Sequence, residues 1–278
     1  RRAKTTSMGL AINAVKTGAA GAAVSAGNTA GFFMGADTSG GFAGQVNLKE
    51  GNNFSTKLGS DGSVVNYTVI TRAGNPGDIG TSALTFINLP YLSSTNYVLG
   101  ADISFTGYNT SPYLNWGSIN AISSFSGNFN GLGHTISNAI VSCTECTNWG
   151  LFGVNTGNIS NVLLDGAAVN GVGNVGALVG KNSGTINNVG VINSAVSGTG
   201  SNIGGIVGLM DGGSLSNSFV KASTVTMTTG REIGGLVGFI STPHTTDIGN
   251  SYYDLGSTTI TVNNTNRSTQ VTMGGLYN

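Results

Sequence analysis

Along residues 149–254 apolar positions recur in short runs separated by glycine and asparagine, and one phrase within that pattern is written four times. It reads WGLFG at 149–153, VGALVG at 175–180, IGGIVG at 203–208 and IGGLVG at 233–238. The closing glycines, Gly153, Gly180, Gly208 and Gly238, stand 27, 28 and 30 residues apart. Self-similarity at a nearly fixed period of this size predicts a stack of repeated supersecondary units. A second segment follows each of the first three phrases: GNISNVLL at 157–164, GTINNVGV at 184–191 and GSLSNSFV at 213–220. Small or polar residues alternate there with Ile, Leu, Val or Phe, which is strand patterning with a period of two. A third, weaker stretch comes next, AAVNG at 167–171, SAVSG at 194–198 and STVTM at 223–227. One repeat therefore holds about three short strands, with no room for a helix, and a coil that climbs about 4.8 Å per turn is a parallel β-helix. The predicted fold class is all-β, a solenoid with three faces per coil.

The pattern also assigns individual residues their places. Ile186, Val189, Ile206, Val207, Leu236 and Val237 are expected to point inward and stack on their equivalents one coil away, so that each coil buries a face it cannot bury alone. Sharp turns between faces call for positive φ, which glycine adopts without steric cost and asparagine next most readily. The chain has 46 Gly and 32 Asn against 4 Pro. The glycines of the repeated phrase are accordingly expected at the corners. Asn161, Asn188 and Asn217, at matching corner positions, are expected to form an amide ladder along the axis.

Four regions follow. Residues 1–45 are Gly/Ala-rich and read as irregular or first coils. Residues 46–148 read as β-helix coils with loop insertions, with strand candidates VVNYTVI at 64–70 and NYVLGADI at 96–103. Residues 149–254 carry the repeats, and 255–278 read as the start of a further coil that the sequence leaves unfinished. A solenoid end without a polar cap exposes strand edges, and the opening residues lack signal-peptide character, so the chain reads as a piece of a longer protein. No run of about 20 apolar residues is present to span a membrane.

Charge narrows the function classes. Eleven basic and eleven acidic residues give a formal charge of zero, and only 8% of the chain is charged. That leaves no electrostatic basis for binding nucleic acid or an anionic membrane. Enzymes built on β-helices need paired carboxylates, acidic calcium sites or clustered bases, whereas the acidic residues here are scattered with no two adjacent. Asp211 has Gly or Asn-type equivalents in adjacent repeats. His134 and His244 read as structural or solvated. The stretch GALVGKNSG at 176–184 lacks the ending of a phosphate loop, and GxSxG and HExxH motifs are absent. The expectation is a non-enzyme without catalytic, cofactor-binding or metal residues, the alternatives being a β-helical carbohydrate-active enzyme (polysaccharide lyase or glycosidase) or a pure structural spacer.

Two local signals remain. Cys143 and Cys146 form CTEC, which serves as a local disulfide, a redox pair or half a zinc site; a loop staple is the simplest reading. Asn-x-Ser/Thr sequons stand at Asn53, Asn66, Asn109, Asn158, Asn263 and Asn266, candidate glycosylation sites. Trp116, Trp149, Tyr252 and Tyr253 offer either sugar-stacking surfaces or coil packing. Contacts with a receptor are expected in outward loops at 104–120, 142–148 and 241–249.

The string from NYVLGADI at 96–103 through GNFNGLGHTISNAIV at 127–141, followed by WGLFG and the three later phrases, resembles the filamentous-haemagglutinin-like adhesins of two-partner secretion, which carry GLUG repeats. NSYYD at 250–254 and VTMGGLYN at 271–278 resemble the same family. The resemblance covers roughly 40–278, and the family's amino-terminal secretion domain is not found. It implies a right-handed parallel β-helix and export through an outer-membrane transporter partner. It further implies an extracellular or outer-membrane-associated location on a Gram-negative cell, and a host-cell receptor or glycan as the binding partner.

Overall fold

The computed structural model describes residues 45–58, 62–75, 78, 84–91, 94–107, 122–142, 146–241 and 247–262, together with the backbone of the short strands Met8–Gly9, Ala36–Asp37 and Gly41–Phe42. Strands one coil apart pair in parallel on three faces. On the first face Asn158–Asp165 pairs with Thr185–Ile192, then with Ser214–Ser216 and Phe219–Lys221, then with Asp247–Gly249 and Tyr252–Tyr253. On the second face Ala168–Gly176, Ala195–Gly204, Thr224–Gly234 and Thr259–Val262 follow one another. The third face runs Ile122–Phe125, Phe152–Asn155, Val179–Asn182, Val207–Met210 and Val237–Ile240. The protein is an all-β parallel solenoid of about five turns. Because Asn158–Asp165 also pairs with Asn128–Asn130, the stack crosses residue 149 without a break.

The inward columns are those expected from the alternation. Ile159, Ile186 and Leu215 are in register and fully buried, as are Val179, Val207 and Val237. Each side chain finds its apolar neighbours one coil above and below, so the coils stabilise one another pairwise.

The glycines of the repeated phrase do something other than turn the chain. The first half of each phrase closes a second-face strand and the second half opens a third-face strand, as in Ala168–Gly176 and Val179–Asn182. None of Gly180, Gly208 or Gly238 has positive φ. A Cβ on Gly208 would stand 2.5 Å from the nitrogen of Val175, and one on Gly238 would stand 2.6 Å from the oxygen of Gly208 and 2.7 Å from the nitrogen of Ile203. These glycines let two faces converge until their backbones touch. The positive-φ turns fall instead to Asn161, Asn188, Asn217 and Asn250 within the first face, and to Asn138, Gly166, Asn193 and Ala222 at its end.

The amino-terminal side departs from the parallel rule. Gly51–Leu58 and Val64–Ile70 form an antiparallel pair, and Val64–Ile70 then joins the stack beside Tyr97–Leu99. A 3-10 turn at Phe86–Tyr91, which the strand pattern did not predict, sets Phe86 edge-on against Phe105 and Phe129.

Candidate functional site

One column of the second face breaks the register of the stack. Its strands lengthen from nine to ten to eleven residues. The pairing shifts between Val172 and Asn174, and again between Gly198 and Thr199, so each longer coil inserts an extra residue near the middle of this face, at neighbouring heights. A bulge of this kind lifts residues out of the ladder and re-aims their side chains. Stacked bulges here line an open groove formed by Val172, Thr199, Ser201, Thr229 and Arg231, with glycine backbone between them. Thr199, Ser201, Thr229 and Arg231 are exposed. Among the described residues the Arg231 guanidinium has no carboxylate partner. The groove offers hydroxyls, peptide groups and one fixed positive charge, a set suited to hydrogen-bonding a polar or acidic ligand. Unequal repeat spacing was the sequence signal for it: the steps of 28 and 30 contain these insertions, with one further residue at the Asp211-Gly212-Gly213 corner, where Gly212 and Gly213 both have positive φ.

Elsewhere the titratable groups serve local structure. Lys181 Nζ lies 2.6 Å from Asp211 Oδ2, so the partner of Asp211 is a cation one coil away. Arg72 bonds Glu50 at 3.1 Å and Asp78 at 3.3 Å, and its pKa is raised chiefly by the Glu50 hydrogen bond. The Ser257 hydroxyl and the Gly256 N–H hold the Asp254 carboxyl below its ordinary range. His134 is buried, with Nδ1 3.1 Å from Asp102 Oδ1 and Nε2 2.9 Å from the Val46 carbonyl. It fastens the segment around Val46 to the coil, a structural task. Among the described residues no three His, Cys, Asp or Glu side chains gather where they could hold a metal ion.

Cys146 is disulfide-bonded, and Cys143 lies outside the described residues. Of the sequons, Asn53 Nδ2 donates to the Lys49 carbonyl at 3.0 Å and Asn158 Nδ2 donates to Asn128 Oδ1 at 2.7 Å. Asn66 is exposed on Val64–Ile70. Asn109, Asn263 and Asn266 lie outside the described residues, as do His244, Trp116 and most of the three outward loops. Trp149 packs over Gly171, Tyr253 is buried over Gly235, and Tyr252 stacks on Phe219.

No known family model matches the chain. A stretch of 29 residues is 86% identical to a phosphate acyltransferase of Erythrobacter litoralis (strain HTCC2594), and it spans 10% of this chain and 8% of that protein. Among solved structures, a Bacteroides ovatus protein named as a candidate immunoglobulin A1 protease is similar at 18% identity and a TM-score of 0.45, over 75% of this chain and 82% of that one. The strand register described above is what defines the fold.

Proposed function

We propose that the chain is a segment of a large secreted or surface-displayed bacterial adhesin of the filamentous-haemagglutinin kind, a stiff stalk that presents contact surfaces to host cells or matrix. The observation that carries this reading is axial reinforcement. Side-chain amides bond from coil to coil along Asn96, Asn128 and Asn158, and again along Asn148, Asn174 and Asn202. Serine hydroxyls add a third line: Ser194 donates to the Ile192 carbonyl and accepts from the Ala167 N–H of the preceding coil, while Ser223 accepts from the Ser194 N–H. Such ladders stiffen a rod along its length and supply no chemistry. The groove that ends at Arg231 is the contact surface of the segment, and its ligand is a polar or acidic host glycan or receptor. Export runs through an outer-membrane transporter partner, which places the rod outside a Gram-negative cell.

Binding of fluorescent chain to epithelial cells and to extracellular matrix tests this. Saturable binding is expected, and Arg231→Ala is expected to weaken it several-fold. Deleting residues 181–208 joins Gly180 to Leu209 in register and removes one coil; because Lys181 and Leu209 are equivalent, the rod should shorten by about 4.8 Å and stay folded. Binding no stronger than that of an unrelated β-helix would sink the reading, and cleavage of a polysaccharide by the purified chain would replace it with an enzyme.

A further inference from the structure

The outward positions of the first face face solvent and should be polar, and at the strand beginnings they are: Asn158 and Thr185 are exposed. At the strand ends they are apolar. Leu163, Phe219 and Tyr252 fall in one outward column with Gly190 between the first two, and Ile192 stands beside it. Alternation fixes their direction, since the flanking Val162, Leu164, Val191 and Val220 belong to the interior core while Leu163, Ile192 and Phe219 form a separate cluster. The Phe219 ring is stacked on Tyr252 at 6.0 Å. On its other side Phe219 covers Gly190, where a Cβ would come 2.6 Å from Leu163 and 2.8 Å from the Phe219 ring. The result is a continuous apolar ridge across the outside of the coils.

That ridge is buried. Leu163, Ile192 and Phe219 are 4%, 8% and 2% exposed, so something lies over residues that point away from the core. The short antiparallel pair Ala36–Asp37 and Gly41–Phe42 lies against Thr185–Ile192 and Asn158–Asp165. Those two strands have both edges taken by ladder partners and their inner face taken by the core. The hairpin therefore reaches them across the outer face.

We propose that the ridge of Leu163, Ile192, Phe219 and Tyr252 is a docking surface whose occupant is the chain's own hairpin, Ala36–Asp37 with Gly41–Phe42, closing over the first face as a strap. The strap ties the amino-terminal region across adjacent coils more than a hundred residues later in the chain. When it lifts, it bares an apolar surface on the side of the rod.

Hydrogen exchange of the full chain, followed by mass spectrometry, tests the strap. In Leu163→Ser/Phe219→Ser the amides of 36–42 are expected to exchange at least tenfold faster than in the wild type, while those of Val179 and Val207 keep their protection. Unchanged exchange in 36–42 overturns the proposal. So does wild-type protection that falls on dilution together with a dimer-to-monomer change in mass, since the occupant would then be a second copy. If the double variant loses coil protection as well, replacing residues 36–42 with a glycine–serine segment tests the same contact from the other side. It should increase hydroxyl-radical labelling of Phe219 and Tyr252 while Val179 and Val207 keep their protection, and unchanged labelling overturns the strap.

Discussion

The Asn188 carboxamide donates to Asn161 Oδ1 one coil earlier at 2.7 Å, and the two residues hold φ of 56° and 55°. Each asparagine thus performs two tasks at once: it turns the first face through the left-handed region and it bonds along the axis. Asn161 repeats the arrangement, donating to Asn130 at 3.0 Å. Asn217 keeps the turn, with φ of 51°, but donates to Asn187 at 2.8 Å instead of Asn188. The straight ladder expected through Asn161, Asn188 and Asn217 holds for its first pair and steps sideways at its third member.

The two tasks of Asn188 separate by substitution. Asn188→Gly keeps the turn and loses the axial bond, an expected cost of about 1 kcal/mol. Asn188→Ala loses the bond, keeps a Cβ in the left-handed region and loses the short amide that lets asparagine tolerate it, so it should cost about 1 kcal/mol more than the glycine variant. Urea unfolding midpoints should therefore fall in the order wild type, glycine variant, alanine variant. Equal midpoints for the two variants would show that the turn places no demand on the residue.

Much of this fold is legible in the sequence because the stack is periodic: alternation and spacing alone place Ile186, Val189, Val207 and Val237 inward, where they are buried. The role of the phrase glycines was not legible. Positive φ and close backbone approach both select glycine, and only the neighbouring coil, Gly208 beneath Gly238 for instance, distinguishes them. The second-face strands are longer than the pattern suggests, since AAVNG and the VG of the next phrase read as separate pieces whereas Ala168–Gly176 is one continuous strand. The groove followed from insertions whose height on the face depends on pairing register, which spacing alone does not fix.

Close backbone approach predicts a severe effect at Gly208 and Gly238 and a mild one at Gly256, where there is room. Gly238→Ala places a methyl between the backbones of Gly208 and Ile203, and overpacking against backbone cannot relax by a rotamer change. A loss of about 3 kcal/mol or more is expected, enough to shift the thermal midpoint by several degrees. Gly256, whose Cβ would meet only the Asp254 carboxylate at 3.3 Å, is the control, and Gly256→Ala should stay within about 0.5 kcal/mol. Similar losses at the two positions would remove convergence of the faces as the reason for the phrase.

The Lys181–Asp211 pair is short but partly open to solvent, with side chains 33% and 26% exposed. Screening by water and salt limits such a pair to about 1 kcal/mol or less. Asp211→Asn should lower the urea midpoint slightly in low salt, and the difference from wild type should shrink toward zero in 1 M sodium chloride. A penalty that survives high salt would mean that Asp211 acts through the backbone of its corner.

Stability should have two pH edges of different origin. Burial in the coil core raises the pKa of the Tyr97 phenol, with a hydrogen bond from Thr95 acting the other way. A raised pKa means the folded state prefers the neutral phenol, so this contribution is complete below the unfolded value of about 10 and is lost as pH rises through the folded value. The Asp254 carboxyl is shifted down by the Ser257 hydroxyl first and the Gly256 N–H second. Its contribution is present above the unfolded value of about 3.9 and is lost as pH falls through the folded one. Circular dichroism across a pH titration should show Tyr97→Phe moving the alkaline edge upward, because the ring stays and the ionising group is gone. Asp254→Asn should flatten the acid edge while leaving the alkaline edge in place. An alkaline edge unmoved by Tyr97→Phe would assign that transition to another group, and the burial of Tyr97 would then carry no cost at high pH.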